Sequence, residues 1–379
     1  MTDLSQQGFS VKTDSAVNSI FNVVIMAGGT GGHIFPGLAV AQELQRRNWN
    51  VSWLGSAGGM EVELIGKTKI PLYLISISGL RGNGIFGWIK APFTLLKAVV
   101  QALIIIRKQK PDVVIGFGGF ASGPGGVASF LAGTPLLIHE QNAVAGLTNK
   151  ILAKFAKKVF QAFPDAFETV KNVETVGNPI RKAIIDLDKN RETKTTINLL
   201  VVGGSRGARV FNDVLPEILA PSILSGEVNV RHQSGKDNYS STISNYEANN
   251  IKQGQSLNVE EFIDEMEQAY LWADLVICRA GALTVSEIAA VGVAAIFVPF
   301  PYAVDDHQTK NALWLVEQEA AILIHESNLK SETSRKEIVD LVANPKKIND
   351  MATKAKKIAY INATVIMADA CEVLMGKAA

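Results

Sequence analysis

The chain has 379 residues, 47% hydrophobic and 19% charged, a balance that excludes an intrinsically disordered protein and leaves room for roughly two or three cored domains. A net charge of +1 gives no electrostatic case for binding nucleic acid, and none is expected as a partner. Two cysteines, Cys278 and Cys371, exclude a disulfide framework and suit a reducing compartment.

In chain order, residues 1–21 lack a charged segment followed by an apolar one, so they read as a flexible lead-in rather than a signal peptide. Val23–Met26 is strand-like and runs into "AGGTGGHIFPGLAVAQEL", where four of the six residues from Gly28 to His33 are glycine and apolar positions then recur at helical spacing. Val51–Leu54, Val113–Ile115 and Leu136–Ile138 are further strands, each ahead of a glycine-rich or polar turn. The longest apolar stretch, Ile85–Ile106, is interrupted by Lys90, Pro92, Lys97 and Gln101 and makes a poor spanning helix. Its first part, with Ile85, Phe86, Trp88, Ile89 and Phe93 beside Arg81, Lys90 and Lys97, is expected to touch a membrane surface. Leu96, Val99, Val100 and Leu103 follow helical spacing and are expected in the core.

The pattern then restarts. "LLVVGGSRGAR" sets Gly203, Gly204, Ser205 and Gly207 at a constant offset from Gly28, Gly29, Thr30 and Gly32. The charged segment "IIDLDKNRETKTTIN" between the halves reads as a linker, with Asp186–Asp188 a solvated turn rather than a metal site. No metal and no cofactor are expected. Alternating strands and helices in two such halves predict an α/β protein of two Rossmann-like doubly wound domains facing a cleft. The boundaries expected are 22–181 and 182–359, with a helix over 360–379 packing back on the first domain.

Neither glycine turn is a P-loop or a G-x-G-x-x-G fingerprint. Successive amides at a helix N-terminus nevertheless favour phosphate oxygens, although tight helix–sheet packing also explains glycine there. A third cluster, "VVIGFGGFASGPGG", adds Gly116, Gly118, Gly119, Gly123, Gly125 and Gly126, and suggests two phosphorylated ligands in one cleft. In "CRAGALTVSEIAAVG" a helix starts near Ala282, Thr284 and Ser286 offer hydroxyls, and Glu287 lies a turn further on, where a carboxylate can accept both hydroxyls of a ribose, although Glu is also an ordinary residue for a first helical turn.

With "GLRGNGI", "HEQNAVAGLTNK", "VGNPIR", "HQSGK" and "EFIDEM" in the same order, these blocks make the chain resemble the bacterial MurG glycosyltransferases from residue 23 to beyond 311. The resemblance implies the GT-B fold and an inverting transfer of N-acetylglucosamine from UDP-N-acetylglucosamine to lipid I, forming lipid II for peptidoglycan. It implies an acceptor and membrane domain followed by a UDP-sugar domain, at the cytoplasmic face of the inner membrane. It further implies donor contacts at Thr30, Gly31, Gly32, Asn142, Arg181, Ser205, Ile263, Ala282, Leu283, Thr284, Val285, Ser286, Glu287 and Gln308. Ile263 would offer its backbone N–H and C=O to the uracil edge; Arg206 stands where some relatives carry Gln. His33 and Glu140 are the candidates for the base that takes the acceptor proton, with a helix-start histidine and a loop-fixing carboxylate as the plainer readings. A related nucleotide-sugar enzyme, such as a glycolipid synthase or a UDP-N-acetylglucosamine epimerase, is the alternative; it needs no lipid-facing patch if an epimerase.

Overall fold

The computed structural model describes residues 21–77, 84–189, 195–204 and 206–376, with the side chains of 84–90 and 304 outside the description. The first half runs β1 (Asn22–Met26), α1 (Gly31–Arg46), β2 (Asn50–Ser56), α2 (Met60–Gly66), β3 (Leu72–Ile75), α3 (Gly84–Gln109), β4 (Val113–Gly116), α4 (Ser122–Ala132), β5 (Leu136–Glu140), α5 (Leu147–Leu152), β6 (Lys158–Gln161), β7 (Val173–Thr175) and α6 (Lys182–Ile185). The second runs β8 (Ile197–Val202), α7 (Arg209–Leu224), β9 (Val228–Gln233), α8 (Tyr239–Glu247), β10 (Leu257–Glu260), α9 (Met266–Trp272), β11 (Leu275–Cys278), α10 (Ala282–Val291), β12 (Ala294–Phe297), α11 (His307–Val316), β13 (Ala321–Leu323), α12 (Glu332–Val342), α13 (Pro345–Ile358) and α14 (Ala363–Leu374).

Each half is a fully parallel sheet, ordered β3-β2-β1-β4-β5-β6-β7 and β10-β9-β8-β11-β12-β13. Both faces of each sheet are covered, so the strands are apolar throughout: Val23 and Ile25 enter one core of the first domain, Val24 and Met26 the other. Leu199 and Val201 are divided from Leu200 in the same way in the second. The order reverses between β1 and β4 and again between β8 and β11, which makes the carboxyl ends of those four strands the two switch points.

The chain's end, helical in pattern, is two helices with a break at residues 359–362. α13 buries Ile348, Met351 and Ala352 in the second domain, whereas α14 buries Ala363, Met367, Ala368 and Cys371 in the first and pairs Asp369 with Arg47 at 2.6 Å. The break lies against the segment that follows β7: a Cβ on Gly177, at φ +85°, would overlap Tyr360.

α3 departs from expectation. Its buried side is Ala98, Ala102 and Ile106, while Leu96 is 63% and Val100 48% exposed, so these two are not core. With Phe93 and Ile104 they form a stripe at i, i+3, i+7 and i+11, one helix face turned outward. The side chains of Ile85, Phe86, Trp88 and Ile89, and all of Arg81, lie outside the described residues.

Candidate active site

The loops at the two switch points line one interdomain cleft. Its wider part encloses about 650 Å³ between Thr30 and Gly32 of the first domain and Gly203, Gly207, Arg279, Gly281, Thr284 and Gln308 of the second. A narrower part of about 240 Å³ is lined by His33, Gly118, Gly119, Glu140, Asn142 and Thr148, with Asp305 and His307 reaching it from the second domain.

Thr30 is the N-cap of α1 and its hydroxyl stands 3.3 Å from His33 Nδ1. The other edge of the half-buried ring faces Gly118, where a Cβ would come 3.2 Å from Nε2. Desolvation lowers the His33 pKa, only partly offset by the nearby Glu140 charge, which leaves the imidazole neutral and proton-accepting at neutral pH.

Glu140 ends β5 and is buried. Its Oε1 accepts from the Asn142 N–H (3.0 Å) and Nδ2 (3.3 Å), and its Oε2 from the Gly146 N–H (3.0 Å) and Asn149 Nδ2 (2.9 Å). Four donors occupy the carboxylate, the geometry of a group that fixes the 141–149 loop. Its neighbour His139 points away from the cleft, bonded to the Gly177 carbonyl at 2.8 Å, and burial pulls its pKa down to about 4.

Of the Ala282–Glu287 stretch, Thr284 lines the cleft, but Val285 is core and Ser286 is spent internally. The Ser286 hydroxyl donates to the Ala282 carbonyl (3.0 Å) and accepts from Asn178 Nδ2 (2.9 Å), so it is not the free hydroxyl expected. Ala282 is buried and Leu283 half-buried against the same core. Glu287 is buried a turn beyond Thr284, where Tyr270 Oη donates to Oε2 at 3.2 Å and Arg181 Nη2 stands 3.7 Å from Oε1. Burial outweighs Arg181 and raises the Glu287 pKa to about 7.

Ile263 also differs from expectation. Its N–H donates to Gln233 Oε1 at 3.0 Å, so that amide is taken. Gln233 was not legible as a site residue: it also donates to the Gly204 carbonyl at 2.8 Å and so ties the second glycine turn to the Ile263 segment. Gln308 accepts from the Phe300 N–H at 2.9 Å through Oε1, leaving its NH₂ for the cleft it lines. Asn142 lines the narrower part, and its neighbour Ala143 donates to Asn311 across the cleft at 2.8 Å. Ser205 lies outside the described residues.

The glycines divide by purpose. Gly29 (φ +88°) and Gly204 (φ +90°) hold left-handed turns that only glycine adopts readily. A Cβ on Gly119 would overlap the Gly28 carbonyl, so the first and third loops pack backbone to backbone. Gly125 and Gly126 belong to α4 and make room for Met26 and Leu152; they belong to packing rather than to a ligand loop. Sequence reasoning also passed over His307 and Asp305. Asp305 and Asp306 are both left-handed (φ +54° and +51°), a strained pair just before α11 that puts His307 at the cleft.

Two doubly wound domains whose switch-point loops share one cleft make up the GT-B fold. Residues 23–161 match the glycosyltransferase family 28 N-terminal domain and residues 198–365 its C-terminal domain. The chain is similar to the UDP-N-acetylglucosamine–N-acetylmuramyl-(pentapeptide) pyrophosphoryl-undecaprenol N-acetylglucosamine transferases of Shewanella frigidimarina (46% identical, 94% of this chain and 98% of that protein) and Psychromonas ingrahamii (48%, 93% and 98%). The crystal structure of Acinetobacter baumannii MurG superposes with a TM-score of 0.81 at 41% identity, covering 93% of this chain and 99% of that one. The chain therefore belongs to the MurG family of glycosyltransferase family 28. A UDP-N-acetylglucosamine 2-epimerase from Neisseria meningitidis, 12% identical with a TM-score of 0.64, shares the fold alone.

Proposed function

We propose that the chain transfers N-acetylglucosamine from UDP-N-acetylglucosamine to undecaprenyl-pyrophosphoryl-N-acetylmuramyl-pentapeptide (lipid I), giving lipid II with inversion at the anomeric carbon. The observation that carries this reading is one cleft that sets the turn from Thr30 to His33 of the first domain opposite the glycine turn and the α10 start of the second. The donor diphosphate lies over Gly203–Gly207 and the start of α10, where helix N-terminal amides meet its charge. Glu287 accepts the ribose hydroxyls, Arg181 holds that carboxylate, and the Ile263 carbonyl rather than its N–H faces the base. Asn142 and Gln308 address sugar hydroxyls.

The acceptor hydroxyl attacks the anomeric carbon as the bond to UDP breaks, and its proton passes to His33 Nε2. Glu140 orients the 141–149 loop and, through its charge, favours the imidazolium that results. Domain limits of 22–181 and 182–359, with 360–379 returning, are supported by cores that draw on one domain each and by α14, although Ala162, Phe163 and Ile180 of the first half pack into a core of the second.

A peripheral membrane contact is supported by the outward stripe of Phe93, Leu96, Val100 and Ile104, with exposed Phe130 and Leu131 on the neighbouring α4 and exposed Lys97, Arg107 and Lys108 on α3. Among the described residues no helix is long and apolar enough to cross a membrane. Each cation near an anionic leaflet adds about 1 kcal/mol.

Incubation with UDP-N-acetylglucosamine and a lipid I analogue tests the reading. Acceptor-dependent UDP release with a disaccharide product is expected; sugar isomerisation without acceptor would make the protein an epimerase.

A further inference from the structure

Glu61 is fully buried near the start of α2, and three glycines vacate the space it fills. A Cβ on Gly28 or on Gly59 would overlap its carboxylate, and one on Gly55 would lie 2.7 Å from its Cγ. Its Oε1 accepts from the Ser56 N–H (2.7 Å) and hydroxyl (2.6 Å), and its Oε2 from the Gly29 N–H (3.1 Å). All three partners are donors. Burying a carboxylate is costly, and a glutamine of the same size would turn its NH₂ against one of those N–H groups, so the anion is specified. The bond to Gly29 reaches the turn that follows β1 and leads into the first turn of α1, which carries His33.

The groups that act on the His33 charge come from four directions. Glu140 on β5, Glu61 on α2 and the Gly28 carbonyl favour the imidazolium, while His307 on α11 opposes it.

We propose that Glu61 is a positioning residue for the transfer: it clamps the Gly28–Gly29 turn through the Gly29 amide and so fixes where His33 stands at the cleft. This rests on the reading of His33 as the base.

E61Q should lower kcat about 10- to 100-fold, the loss usual for a partner that orients a working group, with KM for UDP-N-acetylglucosamine unchanged. By NMR, the His33 titration should move to lower pH, because a charge favouring the imidazolium is gone. In the H33A background E61Q should cost nothing further. A folded E61Q with normal kcat beside an impaired H33A overturns the clamp alone, as does a full multiplicative loss in the double variant or an equal loss in kcat and donor affinity. Normal turnover in H33A overturns instead the base assignment on which the proposal rests. Should E61Q not fold, S56A removes one donor and leaves the carboxylate in place; a smaller loss of kcat with the His33 titration unmoved supports the clamp, and an unchanged kcat overturns it.

Discussion

The turns after β1 and β8 occupy the same point of their sheets and are held by different means. Gly29 and Gly204 share one left-handed conformation, yet behind Gly28 sits the buried carboxylate of Glu61, whereas a Cβ on Gly203 would meet the Ala208 backbone of its own turn. The first turn backs onto Gly119; the second onto Ser234 and Gly235, with Gln233 bonded to its Gly204 carbonyl. An anion buried behind a turn suits one that carries a proton-accepting imidazole. A turn backed by neutral groups, with the exposed Arg209 alongside, suits one that receives a diphosphate. On the proposed reading, one local device serves chemistry in one domain and binding in the other.

The largest effect that tests this division is His33→Ala, expected to lower kcat by about 10²–10⁴-fold while UDP affinity in calorimetry stays as it was. The acid limb of the wild-type kcat profile should lie below pH 6.5, since desolvation lowers the His33 pKa and the neutral form persists to lower pH. Loss of UDP binding in the His33 variant would erase the distinction between the turns.

Glu287→Gln comes next, with UDP affinity falling by about 1.5–3 kcal/mol, roughly 10- to 100-fold, and the melting transition retained. Uridine, which has no phosphate to titrate, sharpens the test. Because burial raises the Glu287 pKa to about 7 and, on the proposed reading, only its carboxylate accepts both hydroxyls, uridine should bind more weakly as pH falls through 7, and Glu287→Gln should flatten that dependence. A flat wild-type profile would detach Glu287 from the ribose.

A smaller effect separates the turns themselves. Alanine at a left-handed position costs about 1–2 kcal/mol. In Gly204→Ala this should raise KM for the donor, and in Gly29→Ala it should lower kcat. The same kinetic signature from both would show that the turns share one role. The smallest effect belongs to the α3 stripe: Phe93→Glu with Ile104→Glu should weaken binding to anionic vesicles, while turnover of a water-soluble acceptor is unaltered. Vesicle binding equal to wild type would move the membrane contact off α3.

Much of this was legible because it is local. Strand runs such as Val113–Ile115, the turns at Gly28 and Gly203, and the helix start at Ala282 follow from short-range patterns that the backbone obeys within a few residues. The outward stripe of α3 was not, because an apolar helix in an α/β protein reads alike whether its face meets a sheet or stands free; Leu96 and Val100 took the exposed side once Ala98 and Ala102 packed closely. The two helices at the chain's end merged in the pattern for a similar reason, since both sides of the break at 359–362 are apolar at helical spacing.

By itself the sequence determined the fold class, the repeated glycine device and the family, since these depend on backbone conformation and on residue order. Tertiary structure alone decided which of the named side chains are free to act. Ser286 is spent on Asn178 and the Ile263 amide on Gln233, while Glu61 and His307 come to the first turn from distant segments. Hydrogen-bond partners far apart in the chain leave no periodic trace, because each is chosen by the packing of elements that the sequence does not place side by side.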